Sequence, residues 1–149
     1  MNIEPIGIVK SPVKERVDEN WGRVIAEVQV QESLAAGLMG LEQFSHIIVI
    51  FFMHQYTFDS KTHLIRRPQE RSDMPEVGIF AQRAKHRPNP IGITAVELIE
   101  LRGNTLVVKG LDAIDGTPVL DLKPYLPEWD CRTDAKIPPW VEQLIKGYF

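Results

Sequence analysis

The sequence predicts a mainly β protein: a single-sheet antiparallel β-barrel with one long polar loop and a short C-terminal helix. Three observations carry this expectation. "VIAEVQV" alternates with a period of two, Val24, Ala26, Val28 and Val30 on one side and Glu27 and Gln29 on the other. Six or seven such short apolar segments recur along the chain, with turn residues between them. No helix-length crossover separates them, which argues against a βαβ fold, and an antiparallel barrel leaves few exposed edges.

The elements follow in order. "IGIV", Ile6 to Val9, reads as the first strand and Val24 to Val30 as the second. "QESLAAGLMGLEQF" reads as helix or turn, its length limited by Gly37 and Gly40. "IIVIFFM", Ile47 to Met53, is branched and aromatic throughout and reads as a fully buried strand. Tyr56 to Met74 is polar and aperiodic, a long surface loop with room for a short strand at "HLIRR". "VGIFA", Val77 to Ala81, is expected to resume the sheet. "IGITAVELIEL" and "TLVVKG" form a hairpin through "RGN". "DGTP" makes a turn into "VLDLKPY". In "PPWVEQLIKG", Pro139 can start a helix, Trp140/Leu144 and Val141/Ile145 form its apolar stripe, and Gly147 can close it.

The chain has 149 residues, which suits one domain over 1–149. No apolar run is long enough to span a bilayer as a helix, and "MNIEPIGIVK" lacks the basic start and apolar block of a signal peptide, so a cytoplasmic protein without a membrane partner is expected. Cys131 is the only cysteine, and the four histidines have no metal-ligand spacing, so no disulfide and no metal are expected. P-loop, GxGxxG, HExxH and GxSxG motifs are absent. From Lys61 to Arg87, seven basic and three acidic residues give a net +4; the whole chain is −3, so the remainder is −7. Such a segment can mark an anion-binding face, but from charge alone a solvated arginine-rich loop is the favoured reading.

Three clusters could carry chemistry. In "FMHQ" a buried strand ends abruptly in polar residues, where barrels place ligand-binding groups; a solvated strand end is the plain alternative for His54. In "FAQRAKHRPNPIG" two prolines stiffen the backbone, Asn89 is held between them, and Gly92 permits a close approach to the strand. A tight corner would not need Arg83, Lys85 and Arg87 beside it. In "GLDAIDGTPVLDLKPY", Asp112 and Asp115 flank an apolar pair at a turn. They could accept ribose hydroxyls or an ammonium group, or simply serve the turn.

Together with "PIGIVKSPVKE" and "LMGLEQFSHIIVIFFMHQ", these stretches closely resemble the TrmO (VirR/YaeB-like) family of S-adenosylmethionine-dependent tRNA (adenine-N6)-methyltransferases, over most of Pro5 to Asp130. The resemblance implies a β-barrel unlike the Rossmann-type methyltransferases, working as a homodimer with S-adenosyl-L-methionine near the subunit interface. It implies methylation of N6 of threonylcarbamoyl-adenosine beside a tRNA anticodon. Carried over by position, Met53, His54, Gln55, Arg83, Ile93, Asp112, Ala113, Ile114, Asp115 and Gly116 belong to the cofactor site. Asn20 and Trp21 are expected to take the place, in the cofactor site, of the "PRQ" that bacterial members show. Arg83 suits the cofactor's carboxylate, and Ile93, Ala113 and Ile114 suit its adenine. Asp115 and His54 are the candidate proton acceptors. Arg66, Arg67, Arg87 and Asn89 are the candidate RNA contacts. The chain departs from bacterial members at "RRPQERSDM" and at Ala84, where serine is usual, and one domain is expected where longer members carry a C-terminal extension. A non-enzymatic S-adenosylmethionine-binding or sensor protein, and a methyltransferase for another substrate, are the alternatives.

Overall fold

The computed structural model describes residues 1–15, 17 and 19–149. Its strands are β1 (Gly7–Lys10), β2 (Ile25–Val30), β3 (His46–Phe52), β4 (Ile65–Arg66), β5 (Val77–Gly78), β6 (Ile91–Arg102), β7 (Thr105–Lys109) and β8 (Pro118–Pro124). Six of them close a barrel in the order β1–β2–β7–β6–β3–β8, every neighbouring pair antiparallel. β4 and β5 pair with each other as a separate ribbon. Helices are short: α1 (Ser60–His63), α2 (Pro127–Asp130), α3 (Pro139–Leu144) and several 3-10 turns. None is long and apolar enough to cross a membrane.

The alternation in β2 puts Ala26, Val28 and Val30 in the barrel interior with Val9, Val49, Leu106, Val108 and Val119. The β6–β7 hairpin turns at Gly103 and Asn104, where φ at Gly103 is +59°. The Asn104 amide donates to the Val30 carbonyl at 2.6 Å and ties the hairpin to β2. "QESLAAGLMGLEQF" forms two 3-10 segments, Glu32–Leu38 and Leu41–Gln43.

Two expectations need correction. β3 is not buried throughout: Ile47, Val49 and Phe51 point inward, while Ile48 and Ile50 are half-buried and Phe52 is exposed. A strand in a single closed sheet has one face in the core and one outside, so an all-apolar sequence does not bury both faces. Val77 to Ala81 does not return to the barrel. Val77–Gly78 pairs with Ile65–Arg66, and Ile79–Ala81 is a 3-10 turn.

The stretch from Tyr56 to Met74 leaves the barrel as a long excursion and carries the short strand expected at "HLIRR", Ile65–Arg66. With residues 75–87 it forms an excursion in which Pro68, Met74 and Ile79 are buried. The buried Gln82 amide donates to the carbonyls of Arg66 and Val77, both at 3.0 Å, and clamps the ribbon. The polar composition hid this because Gln82 and the arginines supply the backbone's missing partners.

Candidate functional site

At one end of the barrel a cavity of about 1000 Å³ opens, the upper end of the size range for ligand pockets. Five parts of the chain build it, one of them the start of β6 from Ile91 to Ala95. β3 stops at Phe52, and Met53 donates its N–H to the Pro90 carbonyl at 2.8 Å. A turn closed by Tyr56 N–H to Met53 O, 3.2 Å, then presents His54 and Gln55. The β7–β8 connection supplies Asp112, Ala113 and Ile114, the last two buried. The excursion contributes Arg66, Phe80, Arg83, Lys85, His86 and Arg87. The last segment, residues 144–149, adds Leu144, Ile145, Tyr148 and Phe149, with Trp21 beside them.

The cavity has an apolar contribution from the strand ends and the last segment, and a basic one from the excursion. Its charged liners are Arg66, Arg83, Lys85 and Arg87 against Glu70 and Asp112. The excess of cations favours a ligand with an anionic group. Most of these cations already have work. Arg66 pairs with Glu70 at 2.7 Å. Arg87 donates to the carbonyls of Ile79 at 3.1 Å and Gln82 at 2.5 Å, and its guanidinium lies over the Phe80 ring. Arg83 is exposed and makes no hydrogen bond or ion pair among the described residues, so its fork of donors is available to a carboxylate.

Asp112 is held at both oxygens. The Thr94 hydroxyl donates to Oδ1, and the Tyr148 hydroxyl donates to Oδ2 at 2.6 Å. A carboxylate in that setting is a fixed acceptor with one lone pair left on each oxygen. Near the entrance, His63 and His86 stack 4.3 Å apart, and Tyr56 meets His86 edge-on.

The structure thus brings Trp21, Met53, His54, Gln55, Arg66, Arg83, Arg87, Ile93, Asp112, Ala113 and Ile114 to one cavity. Ile93 reaches it from the outer face of β6, where it is 52% exposed. Five other residues are not among its liners. Asn20 sits at φ +62° before a 3-10 turn, and its N–H donates to Gly147 O at 2.9 Å. Arg67 turns its guanidinium to the Met74 carbonyl. Asn89 is exposed in the turn, where its carbonyl accepts from Ile91 N–H at 2.8 Å. Gly116 has φ +78° and donates to Val9 O at 2.9 Å.

Asp115, the fifth, bonds Lys14 Nζ at 2.7 Å and the Ser11 N–H at 2.9 Å. The Lys14 contact, and after it the Ser11 N–H, lower the Asp115 pKa below the ordinary carboxylate value. A depressed folded-state pKa means that the bonds favour the ionised form. Their contribution is therefore full above the unfolded-state value and lost as pH falls through the folded-state value. Asp115→Asn is expected to lower Tm at pH 7 and to converge with the parent protein in acid, below the ordinary carboxylate range. A pH-independent difference in melting would count against this pairing.

Gly92 permits a close approach to the strand, as expected from the sequence. It faces Phe51 across the β3–β6 pair, and a Cβ there would lie 2.4 Å from the Phe51 ring. The approaching group is the Phe51 ring, and both residues also line the cavity. Tyr148 and Thr94 were missed as site residues. The only sequence hint was the aromatic pair "YF" beyond Gly147, which has no core-facing periodicity.

Among the described residues no three His, Cys, Asp or Glu side chains converge as a metal site. The family model described as tRNA-methyltransferase O N-terminal domain matches residues 11–131. A probable S-adenosyl-L-methionine-binding protein of Pyrococcus abyssi is 42% identical over 146 residues, covering 95% of this chain and 76% of that protein. The tRNA (adenine(37)-N6)-methyltransferase of Homo sapiens is 43% identical over 101 residues, 68% of this chain and 22% of that protein. The crystal structure of TrmO from Pseudomonas aeruginosa matches with a TM-score of 0.76 at 31% identity, over 94% of this chain. This chain spans 61% of the length of that crystallised chain.

Proposed function

The chain belongs to the TrmO family through its tRNA-methyltransferase O N-terminal domain, and on that premise we propose that it is an S-adenosylmethionine-dependent tRNA methyltransferase. Its substrate in this reading is N6 of threonylcarbamoyl-adenosine beside the anticodon. The observation that carries the reading is the cavity itself, which sets an unpaired arginine, a pinned carboxylate and an apolar surface together. S-adenosylmethionine has a carboxylate, two ribose hydroxyls and an adenine, which match those three features in turn. When bound it supplies a methyl group already activated by its sulfonium.

The chain's own residues then bind and orient. Arg83 holds the carboxylate as a charge-assisted fork. Asp112 accepts from the ribose, and Ala113 and Ile114 flank the adenine. Arg66, Arg87 and Lys85 attract the RNA backbone. Holding nucleophile and methyl in line supplies much of the rate. The N6 proton must leave during or after attack, and His54 is the acceptor in this reading, since it lines the cavity and Asp115 does not.

The proposal includes a homodimer. On the outer face of β3 and β6, Phe52 pairs with Ile91, Ile50 with Ile93 and Ile48 with Ala95. This apolar patch reaches the cavity rim at Ile91 and Ile93, so a second copy covering it would stand beside the cofactor. Ile93→Asp is expected to shift the protein to monomer in sedimentation velocity, and an unchanged oligomeric state would remove this face from the interface. The proposed site of action is the cytoplasm.

The reading is tested by incubating the protein with methyl-labelled S-adenosylmethionine and tRNA from cells able or unable to make threonylcarbamoyl-adenosine. Label in N6-methylated threonylcarbamoyl-adenosine, from the first tRNA alone, supports it. Cofactor binding with no transfer to either tRNA favours a non-enzymatic S-adenosylmethionine-binding protein instead.

A further inference from the structure

The last six residues lie outside the barrel, yet they complete its cavity. The Asn20 N–H donates to Gly147 O and the Trp21 N–H to Tyr148 O, both at 2.9 Å. Gly22 lies against Phe149, where a Cβ would come within 2.8 Å of the Phe149 carbonyl carbon. These contacts latch the segment onto residues 20–22 through the backbone, so its course does not depend on one side chain. From that latch the Tyr148 ring reaches into the cavity wall and places its hydroxyl 2.6 Å from Asp112 Oδ2.

The placement is specific. Asp112 leaves β7's far end on a short connection and could turn about its side-chain bonds if held at one oxygen only. Thr94, on the neighbouring β6, fixes Oδ1, and Tyr148 fixes Oδ2. Two donors on two oxygens set the plane of the carboxylate as well as its position. The remaining lone pairs then point in directions set by the protein.

We propose that Tyr148 is a positioning residue of the ligand site: carried in by the last segment, it orients the Asp112 carboxylate to accept hydrogen bonds from a ligand's vicinal hydroxyls. This rests on the cofactor reading above, which identifies those hydroxyls with the ribose of S-adenosylmethionine. It gives residues 144–149 a direct part in ligand recognition, and it makes the interaction between Tyr148 and ligand indirect, through Asp112.

Tyr148→Phe removes one oxygen and keeps the ring, its packing and the backbone latch. The test titrates the full chain and Y148F calorimetrically with S-adenosylmethionine and with its 2′-deoxy analogue, and records Tm for both proteins. The parent chain is expected to prefer the ribose form. Y148F is expected to bind S-adenosylmethionine roughly tenfold more weakly, the scale of one hydrogen bond to a charged group, and to bind the deoxy analogue nearly as the parent does. Its preference for the ribose form should therefore shrink. An unchanged preference in Y148F overturns the inference while leaving the cofactor reading intact. Equal weakening toward both ligands with a lowered Tm also overturns it, since that is what a purely structural tyrosine would give. No binding by the parent chain overturns the cofactor reading, and this inference with it.

Discussion

Arg83→Ala is expected to weaken S-adenosylmethionine binding by roughly 10- to 100-fold, the range for losing a charge-assisted hydrogen-bonded pair. The same change should leave folding stability within about 0.5 kcal/mol, as for other exposed side chains without internal partners. Both expectations come from one fact: Arg83 is exposed at the cavity and makes no hydrogen bond or ion pair among the described residues. Nothing in the fold needs its guanidinium, so a loss on truncation would be a loss of ligand. Calorimetric titration and a thermal melt of the same preparation separate the two quantities. Parallel loss of binding and Tm would remove Arg83 from the ligand's carboxylate.

The contrast with its neighbours sharpens that test. Arg67 and Arg87 donate to backbone carbonyls of the excursion, at Met74 for the first and at Ile79 and Gln82 for the second. Arg71 forms two bonds with Asp73, at 3.0 and 2.6 Å. Truncating those arginines leaves oxygens without donors, so their effects mix stability with function. Arg83 offers the cleaner reading of the cavity's affinity for an anion.

Gly92→Ala is expected to act in the opposite way, on stability. The new methyl would meet Phe51 Cε2 and Cζ at 2.4 Å, and that ring is 3% exposed inside the core. The ring must swing from its packed position or the β3–β6 pair must part. Overpacking of this kind costs about 1–3 kcal/mol, read as a fall in Tm. Phe51→Leu in the same chain removes the far end of the ring. The double variant should therefore be less destabilised than the two single effects combined. If Gly92→Ala instead kept its Tm and lost S-adenosylmethionine binding, the glycine would serve ligand approach.

The two predictions bear on how "RPNPIG" works. Its prolines set up the start of β6, with the Pro90 carbonyl accepting from Met53 and so bringing the ends of β3 and β6 together. Arg87 fastens the turn to the 79–82 backbone, and Gly92 makes room for a core ring. The motif builds the wall on which other residues act.

Local pattern by itself determined the barrel class, the β2 alternation, the β6–β7 hairpin and α3 started by Pro139, because each depends on residues within about ten positions of one another. The resemblance of long motifs brought His54, Arg83 and Asp112 under one function. Only the tertiary structure decided which polar residues face the cavity and which complete the backbone's hydrogen bonds. Asp112 and Asp115 stand three positions apart on one connection, yet Asp112 is bound by Thr94 and Tyr148 and Asp115 by Lys14 and Ser11. Arg66 and Arg67 are adjacent, and one lines the cavity while the other serves the Met74 carbonyl. A side chain's role there depends on which distant donor or acceptor the closed barrel brings within about 3 Å, and that partner leaves no mark in the neighbouring sequence. Tyr148 is the clearest case, because its partner lies 36 residues away across the cavity mouth.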